Sequence, residues 1–87
     1  MPDDTVRTWL VAREYEHEDM VTLVYATPDG ERAVFQQRST RMLFDSTVTA
    51  GQEVEADRLE AVDLEDRERY ADEAERMAER HDPDDEV

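Results

Sequence analysis

Two β-prone runs of residues stand out in the middle of the chain. These β-prone stretches, residues 20–27 and 32–38, are separated by the four residues 28–31. Pro28 presets the φ angle that a turn needs, and Gly30 can supply a positive φ. The pattern therefore predicts a β-hairpin around which the rest of the chain is arranged.

The stretch before the hairpin, residues 5–15, is rich in β-branched and aromatic residues and predicts a partner strand. Strict alternation places two sets of side chains on opposite faces: Val6, Thr8, Leu10 and Ala12 on one, and Arg7, Trp9, Val11, Arg13 and Tyr15 on the other. Because neither face is purely polar, we expect this strand to be central or covered on both sides. The polar residues 16–19 are few enough to form a second tight connection.

The segment after the hairpin has a less regular pattern. Residues 39–50 fit either a short helix that begins at Ser39 or a fourth strand. Residues 53–62 favour a strand with a bulge or two short extended pieces, since the apolar positions lose their alternation between Ala56 and Leu59.

Residues 63–80 carry the clearest helical pattern. Asp63 is a favourable N-cap, and apolar residues recur at helical spacing along one side: Tyr70, Ala71, Ala74, Met77 and Ala78. We expect this helix to pack on the sheet. Residues 81–87 contain four acids and a proline, which cannot build a core and predict a disordered acidic tail.

Together these elements predict an α+β fold, with an antiparallel sheet of four or five strands that opens as a β-meander and a C-terminal α-helix. Residues 1–80 would form this single domain, and residues 81–87 its tail. A chain of 87 residues buries only about two-thirds of its unfolded surface, so the core should be thin. A small, partly closed β-barrel with an appended helix is the alternative architecture.

The charge of the chain is strongly unbalanced. Twenty-five acidic residues face ten basic ones, all ten are arginines, and the formal net charge is −15. In dilute buffer so small a domain would repel itself, whereas molar salt shortens the Debye length to ~3 Å and removes most of that penalty. In its acidity and its lack of lysine, the whole chain resembles the small acidic proteins of halophilic archaea. The resemblance implies a habitat and not an activity, and it makes the charge a weak guide to a partner.

Two further features concern the location of the protein in the cell. No apolar run approaches the ~20 residues that span a membrane, and the acidic first residues lack the basic region and apolar stretch of a signal peptide. We therefore expect a cytoplasmic protein that does not enter a membrane. With no cysteine, the chain has neither a disulfide framework nor a cysteine zinc site.

Two segments carry side chains that could bind a ligand. Loop 14–19 gathers carboxylates and His17, but it has no glycine to sharpen a turn around a metal ion, and its spacing matches no ligand motif. Arg32, Arg38 and Arg41 lie close to phenylalanines in the sequence and could contact single-stranded nucleic acid. Repulsion of phosphate by the net charge argues against this use, and the same arginines could instead pair with the acidic helix.

The sequence offers little for catalysis. It has no cysteine nucleophile, no serine in a nucleophile-elbow context and no glycine-rich phosphate loop. His17 and His81 both lie in polar, carboxylate-rich segments typical of a protein surface. We therefore expect no catalytic, metal-binding or cofactor-binding residues.

Self-association would enlarge a thin core. Trp9, Val11, Tyr15 and Tyr25 could form an apolar patch on whichever sheet face the helix leaves uncovered, and such patches usually mark interfaces. The alternative is that these residues are buried within the monomer. We predict a homodimer with Trp9 near its interface.

The leading interpretation is thus a non-catalytic binding or assembly module of a halophilic cytoplasm, with an unknown protein partner and with nucleic acid disfavoured as a partner. One alternative is a nucleic-acid-associated protein that uses segment 32–41. Another is a small enzyme or metal-binding domain that uses loop 14–19.

Overall fold

A computed structural model of the chain describes residues 4–39, 41 and 48–87. Within these residues the secondary structure comprises five strands, one turn of 3-10 helix and one long helix: β1 Thr5–His17, β2 Met20–Ala26, β3 Arg32–Ser39, β4 Gly51–Glu55, the 3-10 turn Ala56–Arg58, β5 Glu60–Ala61 and α1 Leu64–Arg80. The strands form one antiparallel sheet in the order β4-β1-β2-β3-β5. The predicted α+β fold is confirmed, and the sheet is open rather than closed into a barrel.

The predicted hairpin consists of β2 and β3. The Thr27 amide closes it by donating to the Arg32 carbonyl at 2.9 Å. Gly30 in the turn has a φ of 72°, and a Cβ at this position would clash with the carbonyl oxygen of Arg67 in α1. Glycine is therefore required both by the turn and by the helix that packs against it.

β1 departs from simple alternation at Val11. Its register with β2 skips this residue, which is the extra residue of a β-bulge. Because a bulge shifts the alternation of side chains by one position, Arg13 and Tyr15 lie on the face opposite to that of Trp9. The expectation that strict alternation puts these three residues on one face was wrong.

One face of the sheet is covered by α1, and we call it the helix face. Its buried side chains pack against Tyr70 and Ala74 of α1: Trp9, Val24, Ala26 and Ala33. Asp63 occupies the predicted N-cap position, but its side chain makes no capping hydrogen bond. The predicted helix and its docking on the sheet are confirmed.

The opposite face carries Arg13, Arg32 and Arg38, and we call it the arginine face. It also has a buried core, formed by six side chains: Leu10, Val21, Leu23, Tyr25, Val34 and Val54. Val48 and Leu59, from the chain between β3 and α1, pack against this core. Apolar side chains are thus buried on both faces, which explains why β2 is buried along nearly its whole length.

Residues 82–87 fold back onto the edge of the sheet, in contrast to the expectation of a disordered tail. The Gly51 amide donates to the Pro83 carbonyl at 2.8 Å, and the Ala50 amide donates to the Asp85 carbonyl at the same distance. Gly51 permits this approach, because a Cβ there would lie 3.2 Å from the Cα of Pro83. Backbone hydrogen bonds thus order a segment whose side chains could not build a core.

The chain between β3 and α1 contains the two segments whose structure the sequence left open. Within residues 53–62, the end of β4 and the short strand β5 lie on either side of the 3-10 turn. Residues 40 and 42–47, on which the choice between a helix and a fourth strand depends, lie outside the described residues. No helix in the described part of the chain is both long and apolar enough to span a membrane.

Candidate functional site

The sheet sorts its charged side chains between its two faces. Antiparallel partners directly opposite each other point to the same face, so the register assigns each strand residue to one side. The strand carboxylates lie on the helix face, together with Arg7, which is ion-paired with Glu53: Glu14, Glu16, Glu53, Glu55 and Glu60. The arginine face carries Arg13, Arg32 and Arg38, with no carboxylate from the described strands. The strands of this face therefore contribute only positive formal charges, although the chain as a whole carries −15. Asp29 of the β2–β3 turn, whose carboxyl has its pKa lowered chiefly by a hydrogen bond from Thr27, lies near enough to Arg32 for that guanidinium to lower it further.

The arginine face is concave. The side-chain amides of Gln36 in β3 and Gln52 in β4 donate to each other at 2.8 and 3.2 Å, although two strands lie between them. In a flat sheet, three strand spacings alone would separate them by ~14 Å. The sheet must therefore curl toward this face, and the amide pair bridges the curl.

Tyr25 lies at the bottom of the concave face. Its side chain is fully buried, and its hydroxyl donates to the carbonyl of Thr49 at 2.8 Å. Burial raises the pKa of the Tyr25 hydroxyl, while its hydrogen bonds and the guanidinium groups of Arg38 and Arg13 oppose this rise. Both arginines are thus near enough to influence the same buried hydroxyl.

Arg13, Tyr15 and Arg38 lie together at one end of the arginine face. Tyr15 and Arg38 pair with Val21 from opposite sides, and Arg13 is two positions before Tyr15 in β1. These spacings put the Cα of Tyr15 roughly 10 Å from that of Arg38 and roughly 7 Å from that of Arg13. The Tyr15 side chain is 67% exposed, and the Arg38 guanidinium donates to the amide oxygen of Gln36 at 3.1 Å. This Arg13–Tyr15–Arg38 group combines two guanidiniums with an exposed aromatic ring.

Of the three arginines predicted as nucleic-acid contacts, two lie on the arginine face. Arg32 and Arg38 are near the two ends of β3, about 20 Å apart, and Arg41 is exposed beyond the strand. None of the three belongs to an ion pair within the described part of the chain; the ion pairs found there use Arg7, Arg69, Arg76 and His81. The alternative in which these arginines pair with the acidic helix is therefore not seen among the described residues.

The four residues predicted to form a self-association surface do not lie together. Trp9 is buried on the helix face next to Ala74 of α1, and Tyr25 is buried on the arginine face. Val11 is partly exposed at the bulge, and Tyr15 is the most exposed of the four. Trp9 and Tyr25 thus contribute to the interior of the monomer, and only Val11 and Tyr15 reach its surface.

Loop 14–19 forms the end of β1 and its turn into β2. Glu16 accepts a hydrogen bond from the Thr22 hydroxyl at 3.2 Å, and Nδ1 of His17 accepts one from the Asp19 amide at 3.3 Å. In the described ranges, no three acidic or histidine side chains converge as metal ligands would. The carboxylates of this loop are spread along a strand and a turn instead.

A cleft of about 230 Å³ lies beside Arg13, between β1 and the end of α1. Val11 and Met77 supply apolar walls, and Glu73, its acidic lining residue, forms an ion pair with Arg76. None of the residues that line it is a serine, threonine or cysteine, so it contains no hydroxyl or thiol nucleophile. The cleft extends the surface around Arg13.

Comparisons with known proteins identify a family but no activity. A family model described as a family of unknown function (DUF7967) matches residues 2–87. The chain belongs to the DUF7967 family. No match was found among curated proteins or among solved structures. The family match includes the C-terminal residues that fold onto the sheet edge of this DUF7967 protein, so those residues belong to the family's domain.

Arg13 and Tyr15 of the DUF7967 chain are the residues of the arginine face that sequence reasoning missed. Strict alternation grouped both with Trp9, and the bulge at Val11 moves them to the other face. Neither a glycine nor a proline marks this bulge. The available signal was the run of four apolar residues 9–12, which breaks the alternation of a strand with one polar side.

Proposed function

We propose that this DUF7967 protein is a non-catalytic binding or assembly module of a halophilic cytoplasm, and that its arginine face binds an anionic partner. The observation that carries the proposal is the sorting of strand charges, with Arg13, Arg32 and Arg38 on one face and the strand carboxylates on the other. Acidic residues outnumber arginines by 25 to ten in this chain. On the arginine face, arginines are the only charged side chains that the described strands contribute. This is a marked departure from the composition of the chain.

Guanidinium groups suit an anionic partner because each can donate two parallel hydrogen bonds to a carboxylate or a phosphate. The net charge of the protein opposes such binding in dilute buffer. At molar salt the Debye length is ~3 Å, so the carboxylates on the helix face add little repulsion at the arginine face. Under those conditions the local chemistry of the face outweighs the net charge.

The polar groups beneath the arginine face support binding rather than catalysis. The amides of Gln36 and Gln52 are paired with each other, and the Tyr25 hydroxyl donates to a backbone carbonyl. Burial raises the pKa of Tyr25, so this hydroxyl keeps its proton at neutral pH. These groups stabilise the curved sheet on which the arginines are displayed.

Titration of two labelled polyanions tests the proposal. A glutamate-rich peptide and a single-stranded oligonucleotide are each titrated with the protein, in potassium chloride at which circular dichroism shows a folded domain. Fluorescence anisotropy should report saturable binding of at least one probe, and the double substitution Arg13→Gln/Arg38→Gln should weaken it about tenfold or more, because two charged hydrogen-bond donors are lost.

Arg80→Gln is the matched control for this titration, because Arg80 is an exposed arginine at the end of α1. The substitution removes one positive charge away from the sheet, so it is compared with the single substitution Arg13→Gln, and it should change the affinity by less than about twofold. Binding of neither probe would overturn the proposal. An equal loss of affinity in Arg80→Gln would do the same, since binding would then depend on charge alone and not on the arginine face.

A further inference from the structure

We infer that the anionic partner of the arginine face is a single-stranded nucleic acid, with one base stacked on Tyr15 and the phosphates on either side of it bound by Arg13 and Arg38. The inference rests on the proposed function, and it names the class of partner for the same face. It differs from the arginine segment expected from the sequence, because Arg13 and Tyr15 reach this face only through the β1 bulge.

The layout of the Arg13–Tyr15–Arg38 group fits a nucleotide strand that crosses the end of the sheet. Tyr15 lies at the corner of the group, with Arg13 roughly 7 Å away along β1 and Arg38 roughly 10 Å away across β2. Arginine side chains are long and flexible enough to reach toward the ring from both positions. A nucleotide strand with a base on the ring would therefore have one guanidinium within reach along β1 and a second one across the sheet.

Tyr15 distinguishes nucleic acid from an acidic peptide as the partner. Its side chain is 67% exposed and belongs to none of the buried clusters of the described residues. An acidic peptide gains little from an exposed aromatic ring, whereas a nucleobase gains ~1–3 kcal/mol by stacking on one. The base must be unpaired to reach the ring, so we infer a single strand rather than a duplex.

The carboxylates closest to the group in β1 do not block it. Glu14 and Glu16 point to the helix face, and Glu73, which lines the cleft beside Arg13, is paired with Arg76. Charges farther away are screened at molar salt, while base stacking does not depend on charge. Two phosphate contacts on a single strand correspond to a slope of about −1.4 in a plot of log K against log salt concentration, so binding would persist in concentrated salt.

The inference is tested by anisotropy with a labelled oligothymidylate of about eight nucleotides, a length within the range that small sheet domains occupy. The protein is titrated across potassium chloride concentrations at which it is folded. Wild type should bind with a slope of about −1.4, and Arg13→Gln and Arg38→Gln should each reduce the slope by about 0.7. Tyr15→Ser should weaken binding about tenfold with the slope unchanged, since it removes stacking and no charge.

Tyr15→Phe keeps the ring and should keep the affinity within about twofold, because phenylalanine also stacks on bases.

Titrations with a duplex of the same sequence and with a glutamate-rich peptide distinguish the nucleic-acid inference from the more general proposal that the arginine face binds an anionic partner. If the peptide binds with the same dependence on Arg13 and Arg38 and the oligonucleotide does not, the nucleic-acid inference is overturned and the proposed function stands. Oligonucleotide binding that is unaffected by Tyr15→Ser, or a preference for duplex, also overturns the inference. If neither polyanion binds, both proposals fall.

Discussion

The side-chain amides of Gln36 and Gln52 pair across the concave face of the sheet, although their strands are not neighbours. The amide oxygen of Gln36 also accepts a hydrogen bond from Arg38 at 3.1 Å. One glutamine pair therefore stabilises the curl of the sheet and orients a guanidinium of the proposed binding surface. If the arginine face binds the proposed partner, stability and binding are coupled at this point of the structure.

Substitution of either glutamine should destabilise the domain. A net contribution of about 1 kcal/mol per hydrogen bond predicts a loss of ~1–2 kcal/mol for Gln52→Ala. Because Gln36 and Gln52 share their bonds, the double substitution should cost less than the sum of the single ones, with a coupling of at least about 0.5 kcal/mol. Urea unfolding of the four proteins in this cycle measures the coupling. Strict additivity would show that the curl of the sheet does not depend on the pair.

The helix should be anchored to the sheet by Tyr70, whose side chain is 4% exposed. Its ring packs against Val24 and Ala26 of β2 and lies under the guanidinium of Arg69. Tyr70→Ala should therefore lower the free energy of unfolding by about 3 kcal/mol. Tyr15→Ala removes the same side chain from an exposed position and should stay within about 0.5 kcal/mol of wild type. An unchanged unfolding midpoint for Tyr70→Ala would contradict the docking of α1.

The parts of the fold that the sequence predicted are those with local signals. The β2–β3 hairpin follows from two β-prone runs around Pro28 and Gly30, and α1 follows from an apolar stripe that ends in Met77 and Ala78. The order of residues 82–87 could not be predicted in this way. It depends on backbone hydrogen bonds to Ala50 and Gly51, which are distant in sequence and leave no trace in the side-chain pattern.

The candidate site was predicted only in part, for a related reason. Arg32 and Arg38 belong to one strand, so their shared face follows from alternation alone. Arg13 and Tyr15 join them because β1 pairs with β2 and because the bulge at Val11 shifts the alternation of β1. Beyond the bulge, each side chain therefore lies on the face opposite to the one that strict alternation predicts. The pairing of β1 with β2 and the bulge in that pairing are both properties of the assembled sheet, and the sequence of β1 alone does not reveal them.

Folding should depend on salt concentration. The chain carries a net charge of −15, and its self-repulsion is screened as the Debye length falls from about 10 Å at 0.1 M to ~3 Å at 1 M. Thermal unfolding followed by circular dichroism should therefore give a midpoint that climbs steeply with potassium chloride. A midpoint that does not change with salt would contradict the halophilic interpretation and would restore the acidity as a sign of a basic partner.

The homodimer predicted from the sequence would have to use the residues that remain exposed. β4 pairs with β1 only from Thr5 to Trp9, so the later part of β1 has no strand on that side among the described residues. Val11 and Tyr15 lie there, while Trp9 lies under α1. Sedimentation equilibrium in molar salt should show a dimer that Tyr15→Glu dissociates. Trp9→Glu should instead unfold the protein, because it would place a charge in the core beside Ala74.

A single-stranded oligonucleotide should compete with this dimer, since both would cover Tyr15. Sedimentation of the wild type with saturating oligothymidylate should then give a monomer that carries the oligonucleotide. A monomeric wild type at tens of micromolar would refute the dimer itself. A dimer that binds the oligonucleotide without dissociating would show that the dimer interface excludes Tyr15.

Ionisation of tyrosine should control the stability of the protein at alkaline pH. The chain has no lysine and no cysteine, and arginine stays charged, so tyrosine is the side chain that titrates near pH 10. Burial raises the pKa of Tyr25 and of Tyr70 above the ordinary value of 10.0. A pKa that is higher in the folded state means that the folded protein binds the proton more tightly than the unfolded chain does. The stabilisation is therefore complete below about pH 10 and is lost as the pH rises through the folded-state values.

Urea unfolding from about pH 7 to pH 11.5, with tyrosinate absorbance recorded in parallel, measures this dependence. The free energy of unfolding should change little up to about pH 9 and should fall beyond pH 10. Tyr25→Phe leaves the Thr49 carbonyl without its hydroxyl donor and should cost about 1 kcal/mol at neutral pH. The same variant should show a shallower alkaline fall, because one of the two buried phenols no longer ionises. An alkaline fall as steep as that of wild type would show that Tyr25 does not contribute to it, and that Tyr70 alone determines the alkaline limit of the fold.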